Sequence, residues 1–363
     1  MKYRIALFPG DGVGPELISE GIKAVEKAAE LEKFHIEWVG QANEDEDSAK
    51  SRQFPEEILR DIKDSCSAIY CGTLDSGIIK NYFEQFLVVR PIKLLPTVES
   101  PILGKTHEDI DFLLIRENSE DFYVGLSGRA KNGRNRQQHE ISRNKSKIRF
   151  GLNIECKDDE LSYQIGILTK KACERVIRFA FEQAVAGDSR KITFVDKANL
   201  LDSYSFWRDN VNSIAKQYPD VEYEFNLVDA TLVNLIRKPD AYEIIVAPNM
   251  FGDILGGLGT IIQGGLSFAA RANICPEKIS MFEPIHGSAP KLRGQGIVNP
   301  IATIWAGALM LENIGQKKAG SLILKAIESV LKDGKTRTQD LDGNNTSSEM
   351  GDAIVDKMID IHE

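Results

Sequence analysis

Apolar positions first gather in a short run, residues 4–8 (Arg-Ile-Ala-Leu-Phe), closed by Pro9-Gly10. From Pro15 the spacing lengthens: Leu17, Gly21, Val25 and Ala28/Ala29 recur near the 3.6-residue period of a helix face. Pro15 suits a first helical position, where its missing N–H would have no partner anyway. The chain therefore opens strand–turn–helix. A second apolar run, Ala68-Ile69-Tyr70-Cys71, stops at Gly72, and strand-like runs recur at Phe112–Ile115, Ile192–Val195 and Glu243–Ala247. Helical patterns separate them, notably Thr169–Ala186 and Tyr204–Gln217. Strands alternating with helices predict an α/β layered architecture. No internal repeat is visible.

One segment breaks the alternation. Arg129–Arg149 carries eight basic residues and one acid, is polar, and ends in the strand-like Ile148-Arg149-Phe150. It reads as a solvated β-arm or a hairpin clasping a second subunit. An RNA-binding strip would need aromatic stacking residues among the charges, and none precedes Phe150. The acidic run Glu44–Asp47 reads as an exposed loop.

Composition narrows the class. With 363 residues, 42% hydrophobic and 27% charged, the chain is of ordinary globular make-up and long enough for two domains or one large one. A formal charge of −9 argues against a protein devoted to nucleic acid, because phosphate binding wants a positive field. The five cysteines form no Cys-x-x-Cys pair, so they read as reduced thiols rather than a disulfide framework or a zinc site. No stretch reaches the roughly 18 apolar residues of a membrane helix, and the short N-terminal apolar run is too brief for a signal peptide. A cytoplasmic protein is expected.

Five constellations could carry chemistry. Gly10-Asp11-Gly12-Val13-Gly14-Pro15 follows the first strand but lacks the G-x-G-x-x-G spacing of a dinucleotide fingerprint, so it reads as a tight strand-to-helix turn. Asp229 and Asp253 each follow an apolar run, where open α/β sheets bind ligands. They could share a hard divalent cation, or each could serve as an N-cap. Lys197, in Asp196-Lys197-Ala198-Asn199, would serve as a base if burial and a nearby cation lowered its pKa; otherwise it is a loop lysine. Arg90 and Arg116 end apolar runs and could grip carboxylates bidentately, with Tyr123 near enough in sequence to donate a proton. The small-residue stretch Glu283-Pro284-Ile285-His286-Gly287-Ser288-Ala289-Pro290 lets backbone approach a ligand, and Asn299 is placed to cap a helix starting at Pro300. His286 is either a ring that stacks on an adenine or a core histidine.

Taken together, GDGVGP, VVRP, RENSEDFY, DKAN, NMFGDIL and EPIHGSAP resemble, in order and spacing, the isocitrate/isopropylmalate dehydrogenase family of metal-dependent β-decarboxylating dehydrogenases. That family includes homoisocitrate, tartrate and D-malate enzymes, and the resemblance runs from Ile5 to about Asp356. It implies an α/β fold of two domains with a mixed sheet through both, and not a Rossmann domain. Residues 1–85 and 264–363 would form a large, cofactor-binding domain. Residues 86–120 and 164–263 would form a small domain with the dimer interface and metal site, and 121–163 a clasp. The resemblance implies a homodimer, or a higher oligomer built from it, with shared active sites. It makes Tyr123 and Lys197 the acid–base pair, and Asp229 and Asp253 the ligands of Mg²⁺ or Mn²⁺. Lys197 and Asp229 would come from the neighbouring subunit. Thr73, Ser76, Lys80, Arg90, Arg116 and Asn199 would contact a small hydroxy-acid substrate. Glu283, His286, Gly287, Ser288, Ala289, Lys291, Val298 and Asn299 would line the NAD or NADP.

Three departures from the family pattern bear on substrate and metal. Gly257 stands where a second aspartate usually follows the metal-binding one by four residues. Lys80 replaces the first arginine of the substrate clamp, a point charge in place of a planar fork. Ser76-Gly77, flanked by Thr73 and Asp75, replace the leucine pair of isopropylmalate enzymes, which removes burial worth roughly 1–3 kcal/mol for an isopropyl group. Isocitrate or homoisocitrate is thereby favoured over isopropylmalate, with tartrate and D-malate as alternatives. Lys291, where NAD users carry an acid, and Val298 favour NADP. The segment Thr338–Gly343 lacks the Tyr and Arg that complete the phosphate site of the NADP-dependent isocitrate enzymes. A catalytically silent regulatory subunit is the rival of another class, motivated by Gly257 and Lys80 and opposed by the retained Tyr123, Lys197, Asp229 and Asp253.

Overall fold

The computed structural model describes residues 1–40, 56–74, 77–143, 146–187, 189 and 191–363. The loop expected at Glu44–Asp47 and the pocket residues Asp75 and Ser76 lie outside them. The opening apolar run is β1 (Lys2–Gly10), followed by the helix Gly14–Leu31 and β2 (His35–Val39). Then come β3 (Ala68–Thr73), β4 (Leu87–Lys93) and β5 (Asp111–Glu117). A ribbon of β6 (Asp121–Arg143) and β7 (Ser146–Ile167) follows. Beyond it are β8 (Lys191–Asp196), β9 (Glu222–Leu227), β10 (Ile244–Ala247), β11 (Ala270–Ile274) and β12 (Met281–Pro284).

Among the described residues ten strands join in one sheet, in the order β2-β1-β3-β12-β11-β4-β5-β10-β8-β9. Its two ends are parallel, as crossover helices require. Only the middle, β12-β11-β4-β5, is antiparallel. The sheet is mixed, as expected for the family, and no Rossmann order appears. Strands β3 and β10 are buried along their whole length, the signature of strands covered on both faces.

Helices cover the two halves separately. Gly14–Leu31 packs on Ile301–Asn313, Lys317–Asp333 and Ser347–His362 beside the β1 end. Ile301–Asn313 is apolar nearly all round and is correspondingly buried. Lys170–Ala186 and Asp202–Ala215 pack together beside the β8 end. Both expected helices are present within two residues at each end; Thr169 caps the first, its hydroxyl accepting from the Ala172 N–H at 3.2 Å.

The basic segment covers most of β6 and the start of β7, an antiparallel two-stranded ribbon that forms its own sheet. Several of its charges are answered across the strands: Arg134 meets Glu155 at 3.2 Å, and Lys147 and Arg149 meet Glu140 at 2.7 and 2.6 Å. The root of the ribbon is bolted to the body. Asp121, buried and at φ 63°, accepts from Tyr204 Oη and from the Met250 N–H, each at 2.9 Å.

Candidate active site

The sheet brings one group of the expected residues together. Arg90 leaves the middle of β4 and Arg116 the end of β5; the Val88–Arg116 and Arg90–Leu114 pairings place both arginines on one face. Asp253 is the fifth residue of the helix Asn249–Ile262, not its cap, and ion-pairs with Arg116. Asn249 Oδ1 accepts from Arg116 Nε at 2.9 Å and so orients the guanidinium. Tyr123 Oη donates to Asp253 Oδ2 at 3.3 Å, and its ring lies under Arg116, 5.6 Å from centroid to Cζ. Partial burial, then the Asp253 carboxylate, push the Tyr123 phenol above its ordinary range, so it is held as a proton donor.

Arg90 is buried, its Nη2 donating to Thr260 Oγ1 at 3.0 Å. A Cβ at Gly256 would occupy the space of Arg90 Nη1, so the glycine opens the helix to the arginine. Lys80 sits beside Glu283, Nζ to Oε1 3.5 Å, and burial lowers its pKa. Glu283 is buried and also accepts from Arg271 Nε at 2.8 Å and Asn273 Nδ2 at 2.7 Å. Burial alone would raise its pKa; Arg271 and Lys80 outweigh that and the net shift is downward. Glu283 therefore stands with the cation cluster rather than with the exposed residues of its loop.

A second group is bonded within itself. Lys197 follows β8 and donates to Asp229 Oδ1 at 2.6 Å. Asp229 lies in the first turn of the helix Val228–Arg237, and the Lys197 ammonium holds its carboxyl below the usual range. Asp196 is buried and takes Arg208 bidentately at 2.7 and 2.9 Å, which fixes the turn that presents Lys197. Asn199 lines a hollow with Ser205, Arg208 and Asn212 of the neighbouring helix. Among the described residues no hydrogen bond or ion pair joins Lys197 or Asp229 to Tyr123 or Asp253.

A third group surrounds the opening turn. The Val13 N–H donates to the Ser288 carbonyl at 2.9 Å, and Gly12, at φ 59°, touches that carbonyl so closely that a Cβ would collide with it. Thr73 is buried and its hydroxyl donates to the Asp11 carbonyl, so it braces this turn. Ala289 takes φ 39° as the loop turns outward to exposed Lys291. His286 Nε2 is buried with no partner, and burial lowers the ring's pKa. Asn299 Oδ1 accepts from the Ile301 N–H at 3.0 Å, the expected cap one residue beyond Pro300, while its Nδ2 donates to Asp340 at 3.1 Å. The Val298 carbonyl accepts from Ser347, tying the loop to the last helix.

Sequence reasoning missed Asn249, Thr260 and Arg271. The first two lie inside quoted or adjoining helical sequence and act by orienting arginines. Arg271 had a legible signal: it is the lone charge in the run Phe268–Cys275, whose other members are all buried.

The model of the isocitrate/isopropylmalate dehydrogenase family matches residues 4–354. The chain is 34% identical to a D-malate dehydrogenase [decarboxylating] of Escherichia coli (strain K12) over 378 residues, covering 97% of each. It is 32% identical to a tartrate dehydrogenase/decarboxylase of Pseudomonas putida over 385 residues, covering 98% of each. Among solved structures, an isocitrate dehydrogenase from Methylococcus capsulatus superposes with a TM-score of 0.80 at 29% identity, covering 98% of this chain and 99% of that one.

Proposed function

The chain belongs to the isocitrate/isopropylmalate dehydrogenase family, and from that premise we propose that it oxidatively decarboxylates a malate-type 2-hydroxy acid, isocitrate or homoisocitrate fitting best. The observation that carries this reading is the convergence of Lys80, Arg90 and Arg116 on one face of the sheet beside Asp253 and Tyr123. Three cations suit an acid with several carboxylates, and two of them are planar forks. Lys197, acting as the neutral amine after its ammonium has released a proton to solvent, takes the proton of the 2-hydroxyl through water, and Tyr123 delivers one to the carbon that loses CO₂.

Asp229 and Asp253 are oxygen donors of the kind Mg²⁺ or Mn²⁺ requires, and each already holds one cation, Lys197 or Arg116. Among the described residues no group of three or more His, Cys, Asp or Glu is placed to hold a metal within one chain. We therefore assign the complete donor set to two protomers, Asp253 of one facing Lys197 and Asp229 of the other. The unpartnered His286 Nε2 and the exposed backbone at Gly287 fit an adenine base, with Ser288, Ala289, Lys291, Val298 and Asn299 around the rest of the nucleotide. When bound, the nicotinamide supplies the hydride acceptor and the divalent cation the Lewis acidity.

Exposed Lys291 favours NADP, by attraction to a 2′-phosphate; Asp340 beside Asn299 is the counterweight in favour of NAD. Residues 1–85 with 264–363, and 86–120 with 164–263, are the proposed cofactor and interface domains, and 121–163 the clasp on a second copy. A two-stranded ribbon gains its stability by packing on something, which supports the clasp. No described helix is long and apolar enough to cross a membrane, and a cytoplasmic location is part of the proposal.

D-malate or tartrate is the second reading, favoured by the relatives of that name at 34% and 32% identity. The purified chain with Mn²⁺, either nicotinamide, and a panel of isocitrate, homoisocitrate, isopropylmalate, tartrate and D-malate decides between them. The tricarboxylates should give the highest kcat/KM, and the Lys291→Asp variant should shift preference from NADP toward NAD. Turnover of D-malate or tartrate alone would establish the second reading. No turnover with any acid would favour the silent regulatory subunit.

A further inference from the structure

The strand pairing sets two arginines against each other. β11 and β4 run antiparallel, with Ala272 opposite Val89 and Asn273 opposite Val88, so Arg271 lies opposite Arg90. On its other side Arg271 faces Glu283 of β12. Directly opposed residues share a face of the sheet, and like charges so opposed destabilise the pair. Arg116 brings a third guanidinium to this face and Lys80 an ammonium. Two carboxylates answer the four cations: Glu283 for Arg271 and Lys80, Asp253 for Arg116.

The surplus shows in unmet bonding. Arg90 Nε is buried with no partner. Burial, then the nearby Arg271 and Arg116 charges, push the Arg90 pKa down to about 10. Glu283 engages only Nε of Arg271, whose side chain is a quarter exposed. No hydrogen bond from its two terminal nitrogens occurs among the described residues. A buried excess of like charge persists at a cost unless an anion completes it.

We infer that Arg271 binds substrate and sets specificity: its outer guanidinium edge, beside Lys80, receives the carboxylate on the C3 substituent of a tricarboxylic 2-hydroxy acid, a group malate and tartrate lack. The inference rests on the oxidative-decarboxylation reading above. Together Arg271 and Lys80 restore the fork that Lys80 alone cannot present. If Arg271 served only to neutralise Glu283, its loss would weaken all acids alike.

The test compares two inert anions, propane-1,2,3-tricarboxylate and succinate, by calorimetry on the full chain in Mg²⁺. Neither carries a hydroxyl to oxidise, so binding is read apart from turnover. Arg271→Gln should weaken the tricarboxylate about 10- to 100-fold while succinate changes less than about 3-fold. Arg271→Lys, which keeps a cation against Glu283, should recover part of the loss. Equal weakening of both anions, no weakening of either, or failure of the unmodified chain to bind the tricarboxylate overturns the inference. Failure of the unmodified chain to turn over any hydroxy acid would remove the reaction reading alone and leave this comparison standing.

Discussion

At the scale of single residues, Gly257 is the position where a small change should alter chemistry most directly. It lies one helical turn beyond Asp253, on the same face, and a Cβ there meets nothing within 4 Å. Gly257→Asp should therefore be accommodated and should tighten Mn²⁺ binding by about 10-fold, measured by calorimetry without substrate. Unchanged affinity would mean that the helix does not face the ion. Arg116, Tyr123 and Asp253, and separately Lys197 and Asp229, were legible as candidates because each sits in its own short motif at or near a strand end, and the structure bonds each set together. Arg271 was not, because its meaning comes from lying opposite Arg90 across a pairing of strands far apart in sequence. Thr73, expected to meet substrate, has its hydroxyl donating to the Asp11 carbonyl, where it closes a turn.

At the scale of elements, the opening turn decides how the loop at Ser288, the proposed nucleotide loop, is held. Gly12 adopts φ 59° and lies against the Ser288 carbonyl, and the adjoining Val13 N–H donates to the same oxygen. Gly12→Ala adds a left-handed backbone penalty and a collision. It should cost about 1–3 kcal/mol in urea denaturation and raise the KM for the nicotinamide more than that for the acid. A stability loss without that asymmetry would separate the turn from cofactor binding. The sequence pattern located three of the helices well because their apolar faces repeat, and one of them, Lys170–Ala186, also carries a side-chain cap at Thr169. It could not show that the glycines of GDGVGP answer the loop at Ser288, since that contact joins opposite ends of the chain.

At the scale of the molecule, the ten-stranded sheet divides its labour. Its parallel ends carry the helical layers, and its antiparallel middle carries the charged face with Arg90, Arg116, Arg271 and Glu283. Alternating strands and helices made the layers legible, but nothing local marked the antiparallel centre, because strand order is set by tertiary pairing. Among the described residues no hydrogen bond or ion pair joins Tyr123–Asp253 to Lys197–Asp229 within one chain, and the proposed sharing of sites between copies has a further consequence. If each catalytic centre draws its two halves from different copies, two individually dead proteins rescue one another. Co-refolded Tyr123→Phe and Lys197→Met protomers would pair at random, and half the pairs would be mixed. Each mixed pair would hold one intact centre and one doubly broken one, so about a quarter of the unmodified rate should return. Such a gene would show complementation between alleles, with inheritance reporting on architecture; two silent parents that stay silent when mixed would mean that each copy works alone.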